Sequence, residues 1–245
     1  FGYGIPIYTN VRFPHSATPP LIDRDYNPVS SYRRTFSVPR EWKDRNVFIR
    51  FEGVASAFYV WVNGQKVGFS EDSRLPAEFN IQKYLKEGEN QLAVEVYRWS
   101  DGSYLEDQDF FRLSGIFRSV SLFATPKNEL RDFVVQTKLD GTYTDATLSL
   151  KVETRALVAG PAAATLVQAE LFDADFRSVL KTEVKGSVEV PVKAPHLWSV
   201  EDPYLYTLVL TYGEDIRSCK VGFRQVEIKN GGLLVNGRLV KFLGV

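Results

Sequence analysis

The densest run of reactive side chains is Trp99-Ser100-Asp101-Gly102-Ser103-Tyr104-Leu105-Glu106-Asp107-Gln108-Asp109, which packs four carboxylates into nine residues, 101 to 109, without one Lys or Arg. Two chemistries recruit such a set. Glycosidases work with a pair of carboxyl groups about 5 to 9.5 Å apart, and hard cations gather several oxygens at once. The spacing does not follow an EF-hand calcium loop. The same carboxylates have a structural reading as well, in which they accept backbone N–H bonds in a tight turn or pair with Arg98, Arg112 and Arg118. Composition leaves both readings open.

Other constellations are thinner. His196 stands in Pro195-His196-Leu197-Trp198 near Ser199 and Asp202, but a catalytic triad is a spatial arrangement and closeness along the chain argues little for one. A turn histidine is the simpler reading. His15, beside Pro14 and ahead of Pro19-Pro20, reads as a loop residue. Gly231-Gly232 and Asn236-Gly237 are turn signals, since no Lys-Ser/Thr pair accompanies them to cradle a phosphate. Tyr59, Trp61, Trp99 and Tyr104 offer ring faces that stack on sugars or fill a sandwich core.

The elements that must position these residues are strands. The chain has 245 residues, 30 basic and 30 acidic, with 44% hydrophobic residues, the composition of one large or two ordinary globular domains. Such a balance lacks the surplus of Lys and Arg that a nucleic-acid or anionic-membrane binder clusters on one face. The longest apolar stretch, Ala156 to Val167, contains Gly160 and Pro161 and is about half the roughly 20 residues of a membrane helix. One cysteine, Cys219, and two histidines exclude an intramolecular disulfide, a multi-cysteine zinc site and a three-histidine metal centre. Cys219 reads as a buried or edge thiol without a chemical role. The compartment stays open between cytoplasm and periplasm, with a slight lean to a bacterial cytoplasm.

Valine, the aromatics, Gly and Pro favour an all-β chain. Tyr32 to Val38, Asn46 to Phe51, Ala57 to Asn63 and Gln91 to Arg98 read as short strands. In the last, Leu92, Val94 and Val96 alternate with Ala93, Glu95 and Tyr97, the mark of one buried face. Asn63-Gly64 predicts a type I′ hairpin turn, and Ile81 to Leu85 a single helical turn. Ala124 to Asn128 breaks the pattern and places a boundary near residue 125. Beyond it, Leu130 to Leu139, Ala146 to Thr154, Thr165 to Phe172, Ser187 to Val192, Tyr204 to Tyr212 and Arg217 to Phe223 read as longer strands, with the Ala-rich 162–164 as loop or strand edge. About 100 residues of this texture suit an immunoglobulin-like sandwich.

The ends carry their own expectation. Position 1 is Phe, and the first ten residues lack the basic start and apolar core of a secretory signal. Leu233 to Val245 reads as a hairpin ending on an apolar residue. Both point to a piece of a longer chain.

Several motifs together resemble a known family. Tyr8-Thr9-Asn10-Val11, Asn63-Gly64 with Val67-Gly68, the run Glu71 to Phe79, Gly88-Glu89-Asn90, Trp99 to Asp109 and Arg112 to Arg118 are similar to the sugar-binding domain of the large bacterial β-galactosidases of glycoside hydrolase family 2. Pro195 to Ser199, Asp202 to Tyr206 and Val221 to Arg224 resemble the immunoglobulin-like domain that follows in that family. The resemblance implies a jelly-roll domain over 1–125, an immunoglobulin-like domain over 126–228, and in 229–245 the opening hairpin and first strand of a TIM barrel. In the family that barrel holds the two glutamates of retaining hydrolysis, and neither glutamate motif occurs here. The chain is thus expected to be a non-catalytic N-terminal portion of a β-galactosidase, without activity of its own.

The resemblance also assigns site residues. The aspartate of the Trp-Ser-Asp-Gly-Ser motif reaches the barrel pocket in relatives and helps bind galactose and a sodium ion, a role that falls here on Asp101. Relatives often carry Asn or Asp before the Pro-Pro pair, and this chain has Thr18, whose hydroxyl lacks a carboxamide's reach. Glu106, Asp107 and Asp109 are expected to support the loop through Arg112 and Arg118. Sodium and magnesium are the ions implied for the full-length enzyme. The implied partners are a galactoside, the barrel of the same chain and further copies in a homo-oligomer. Competing readings are a stand-alone carbohydrate-binding module and the equivalent piece of a β-glucuronidase or β-mannosidase; the long acidic motif argues for galactose.

Overall fold

The computed structural model describes residues 5–9, 12–106, 109–156, 166–241 and 244. These form strands and short 3₁₀ turns, with no α-helix among the described residues. The all-β expectation holds. Contacts divide the chain into two compact units, Phe1–Thr125 and Pro126–Val245.

The first unit is built on two antiparallel sheets that share one core. One sheet runs Val29–Ser37, Glu89–Tyr97, Ala57–Val62, Gln65–Glu71, and the other Val120–Thr125, Asn46–Phe51, Ala77–Asn80. Alternation decides which side chains meet between them, because successive residues of a strand point to opposite faces. Val47, Ile49 and Phe51 face Phe58, Val60, Val62, Val94 and Val96, all buried. The Asn63-Gly64 turn has φ of 52° and 79°, the left-handed pair that a type I′ turn requires. Asn63 does more than turn the chain: its amide donates to the Asn90 side chain at 2.7 Å and to the Tyr84 carbonyl at 2.9 Å. The expected helical turn is the 3₁₀ segment Gln82–Tyr84.

The second unit packs three strands against four. Asn128–Leu139, Ala146–Ala156 and Ser187–Val192 form one sheet; Ser178–Val184, Val167–Phe172, Tyr206–Tyr212 and Asp215–Val221 form the other. Leu148, Leu150, Leu171, Leu208, Leu210 and Phe223 are buried in the shared core. The fourth strand in chain order, Ser178–Val184, pairs with Val167–Phe172, whereas in antibody constant domains it joins the first sheet. Cys219 is half-buried on Asp215–Val221, and burial pushes its thiol pKa up. Thr165 and residues 162–164 lie outside the described residues.

A small third sheet of Val226–Lys229, Gly232–Val235 and Arg238–Leu239 closes the second unit. Both of its turns, Asn230-Gly231 and Asn236-Gly237, have left-handed φ values between 50° and 74°. This hairpin is fastened in place. The Tyr143 hydroxyl donates to Glu227 at 2.6 Å, and the Asn236 amide donates to the Trp198 carbonyl at 3.0 Å.

Carboxylates around this unit set its response to acid. Asp140 is held below the usual carboxylate range chiefly by the Thr144 N–H, with help from Thr142, and Asp145 by Lys193 and then the Ala194 N–H. The Tyr143 hydroxyl does the same for Glu227. A carboxyl whose folded pKa lies below its unfolded value contributes stability above the unfolded pKa and loses it as pH falls through the folded one. The second unit is therefore expected to lose stability below about pH 4. Asp140→Asn, whose amide does not titrate in this range, should flatten that fall; urea midpoints by circular dichroism between about pH 5 and pH 3 measure it.

Candidate functional site

The strand Glu89–Tyr97 delivers the chain to Trp99, and Ser, Asp and Gly then turn it. Ser100 N–H donates to the buried Ser103 hydroxyl at 3.0 Å while Ser103 N–H returns to the Ser100 carbonyl at 3.0 Å. This closes the 3₁₀ turn Asp101–Tyr104 with Asp101 as its first residue. Trp99 anchors the turn from below: it is 4% exposed, and Asn27 brackets its backbone, accepting from its N–H at 3.0 Å and donating to its carbonyl at 2.9 Å. Of the aromatic residues open to two readings, Trp99 is therefore core. Tyr59 and Trp61 are half-buried.

Tyr104 brings in the second candidate. Its hydroxyl lies 2.6 Å from the carbonyls of both Ser16 and Leu21, pinning the segment that contains Thr18 against the Asp101 turn. His15 fills the gap, with its ring 4.7 Å from Tyr104, 5.2 Å from Trp99 and 5.4 Å from Phe13. Asp101 and Thr18 thus sit on two loops that are fastened to each other. Thr18 is exposed, accepts the Leu21 N–H on its carbonyl at 2.9 Å, and holds its hydroxyl 3.4 Å from the Leu21 carbonyl.

The acidic cluster divides by role. Glu106 accepts from the Ser73 N–H at 2.8 Å and from the Ser73 hydroxyl at 2.6 Å, tying the loop to the Asp72–Leu75 turn. Asp109 accepts from the Tyr8 hydroxyl at 2.5 Å, where Ile7–Thr9 pairs with Phe110–Arg112. These two carboxylates support the loop, with Ser73 and Tyr8 as the groups that hold them. Arg118 donates to the Arg74 carbonyl at 3.1 Å, and Arg112 to the Thr9 hydroxyl at 3.1 Å. Asp107, Asn10 and Val11 lie outside the described residues.

Asp101 is different. It is exposed, and one of its oxygens accepts the Gly102 N–H at 3.1 Å. Its side chain also hydrogen-bonds Glu71, a residue 30 positions earlier that sequence spacing does not connect to it. Burial, the bond to Asp101 and the charges of Asp101 and Glu106 raise the Glu71 pKa, in that order.

No group of three or more His, Cys, Asp or Glu among the described residues is arranged to hold a metal ion. An exposed carboxylate fits the part of one ligand to a hard cation whose other oxygens come from elsewhere. The cleft beside the loop, bounded by Ser56, Ser73, Arg98, Ser103, Glu106 and Arg112, holds about 40 Å³, far below the roughly 300 Å³ at which ligand pockets begin. A sugar lying at Asp101 would be bound on the surface of this unit, with the rest of its pocket supplied by other groups.

His196 is a turn histidine. Its ring stacks on Tyr204 at 4.1 Å and lies 2.5 Å from the Asp202 carboxylate, while the Ser199 hydroxyl accepts the Asp202 N–H at 3.0 Å. No bond joins Ser199 to His196 among these contacts.

Residues 1–126 match the sugar-binding domain of glycosyl hydrolases family 2, and residues 128–224 match a second domain of the same family. The chain belongs to glycosyl hydrolase family 2. It is 46% identical to a β-galactosidase of Priestia megaterium, covering 100% of this chain and 26% of that protein. A β-galactosidase of Alteromonas mediterranea is 44% identical, with 100% and 25% covered. The chain thus spans about a quarter of the length of the curated family 2 relatives it matches. Among solved structures, a Ruminococcus gnavus β-glucuronidase superposes with a TM-score of 0.70 at 27% identity, covering 89% of this chain and 39% of that one. A β-glucuronidase of an uncultured Clostridium gives 0.71 at 27% identity, with 92% and 40% covered.

Proposed function

We propose that this chain is the N-terminal, non-catalytic portion of a retaining β-galactosidase, and that its Asp101 loop contributes to a substrate pocket completed elsewhere in the enzyme. The observation that carries the reading is an exposed Asp101 whose partners among the described residues are the Gly102 N–H and Glu71, on a loop held to its neighbours through Trp99, Tyr104 and Glu106. In this reading the first unit is the jelly-roll domain, the second the immunoglobulin-like domain, and 229–245 leads into a TIM barrel that brings the two glutamates. Asp101 accepts galactose hydroxyls and gives one oxygen to a sodium ion, and Thr18 adds one hydrogen bond from the neighbouring loop. Magnesium belongs with the rest of the enzyme, which assembles as a homo-oligomer.

The structural likeness to β-glucuronidases supports a second reading with a glucuronide as substrate. Two points favour galactose. Identity to β-galactosidases is 46% over the whole chain against 27% to the glucuronidase structures. The carboxylates of Glu71, Asp101 and Glu106 would also repel the carboxylate of a glucuronide and leave a neutral galactoside unaffected. The test is turnover of 4-nitrophenyl β-galactoside and β-glucuronide. The 245-residue chain is expected to hydrolyse neither, and the full-length enzyme to prefer the galactoside. Turnover by the isolated chain, or preference for the glucuronide, would overturn the proposal.

A further inference from the structure

The two sheets of the first unit do not cover each other. Phe51 on Asn46–Phe51 packs its ring 4.9 Å from Phe58 on Ala57–Val62, so those strands oppose. Gly68 on Gln65–Glu71 faces Phe79 on Ala77–Asn80, whose ring would stand 2.6 Å from a Cβ at that position, so those oppose too. Given the strand orders, Val120–Thr125 then falls across from Glu89–Tyr97. Among the described residues, Val29–Ser37 has no strand of the facing sheet across from it, and only the Tyr32 hydroxyl approaches a further strand, at Gly115 of the short Gly115–Ile116.

Burial agrees with this geometry. Eight of the nine residues of Val29–Ser37 are exposed. Tyr32, which pairs with Val94, is 40% exposed while Val94 is 2% exposed. A groove of about 710 Å³ runs along the uncovered side, floored by Ile49, Phe51 and Val94 and walled by Tyr32 on one side and Leu122 on the other. Both bounding strands are sheet edges, and an edge presents a row of unpaired backbone N–H and C=O groups. Core side chains at the floor together with open backbone at the rim define the occupant: a polypeptide in extended form, whose backbone pairs with an edge and whose alternate side chains reach the floor.

We propose that this groove is the seat of an added β-strand that pairs with the Val120–Thr125 edge and covers Val29–Ser37, making the sandwich four strands on four. The occupant is a segment of about six residues, roughly 20 Å long at about 3.3 Å per residue, with apolar side chains at alternate positions. Relatives contain polypeptide to supply it, because the matched region is 26% of one β-galactosidase and 25% of another. The inference rests on the packing of the first unit and is independent of the substrate reading.

The test titrates overlapping synthetic 12-residue peptides into the 245-residue chain, the set tiling the parts of the 46%-identical β-galactosidase outside its matched region. Backbone hydrogen exchange is the readout. One contiguous group of peptides with alternating apolar residues is expected to bind saturably and slow exchange in Val120–Thr125 at least tenfold. Tyr32→Glu and Val120→Lys, on opposite walls, should abolish that protection while circular dichroism and the thermal midpoint stay unchanged, since both positions are 40% exposed. The proposal is overturned if no peptide protects that edge, if both variants remain protected, or if the same amides are buried by self-association of the chain without peptide.

Discussion

In the full-length enzyme, Asp101→Asn is expected to lower kcat/KM for a β-galactoside by about 10- to 150-fold, which corresponds to the roughly 1.5–3 kcal/mol of a hydrogen bond to a charged group. The same substitution in the 245-residue chain should leave the unfolding midpoint nearly unchanged. The asymmetry follows from geometry: Asp101 accepts one bond from the adjacent Gly102 N–H, which an amide oxygen also accepts, and its other chain-borne partner is the carboxyl of Glu71. Glu106→Gln should behave in the opposite way. It weakens both contacts to Ser73 that hold the loop to its neighbour, so stability falls first. Urea denaturation of the chain beside steady-state kinetics of the full-length enzyme separates the two.

The largest effect on stability is expected in the core that holds this loop. Phe58 is 1% exposed and lies between the sheets, 4.9 Å from Phe51 and 6.0 Å from Phe79. Phe58→Ala removes most of a buried ring and leaves a cavity, at a cost of about 3–5 kcal/mol. That is a large part of the roughly 5–15 kcal/mol typical of a domain. The transition of the first unit should move to markedly lower urea while that of the second, whose core is built from Leu148, Leu171, Leu208 and Phe223, stays in place. Trp42, Trp61 and Trp99 lie in the first unit and Trp198 in the second, so tryptophan fluorescence weights the first unit's transition, and circular dichroism follows both. A shift of less than about 1 kcal/mol would mean that the sheets are not held by this contact.

Legibility in the sequence followed the strength of local signals. Asn46 to Phe51 and Ser187 to Val192 were readable to the residue, because the first is a short apolar run and the second alternates, each with turn residues at its flanks. Asn63-Gly64 was readable because few residue pairs tolerate two successive left-handed φ values. Ser178–Val184 was not, since SVLKTEV is polar and exposed at most positions and its place is set by pairing with Val167–Phe172 rather than by periodicity. The acidic loop stood out by composition, and composition alone did not sort its members. Glu106 finds Ser73 and Asp109 finds Tyr8 across 33 and 101 residues, while Glu71 meets Asp101 from a neighbouring strand end. The Tyr104 pin on the Thr18 loop was invisible for the same reason. Side-chain chemistry can be read from the chain, but partners brought together by folding cannot.

The most direct measurement is a sodium titration of galactoside turnover by the full-length enzyme and its Asp101→Asn variant, at constant ionic strength with a larger cation as the replacement. If Asp101 gives an oxygen to the ion at the sugar, wild-type kcat/KM rises and saturates with sodium, while the variant needs much higher sodium or does not respond. Identical sodium curves for the two proteins, with kcat/KM unchanged, would contradict the account and return the Asp101 loop to a structural turn.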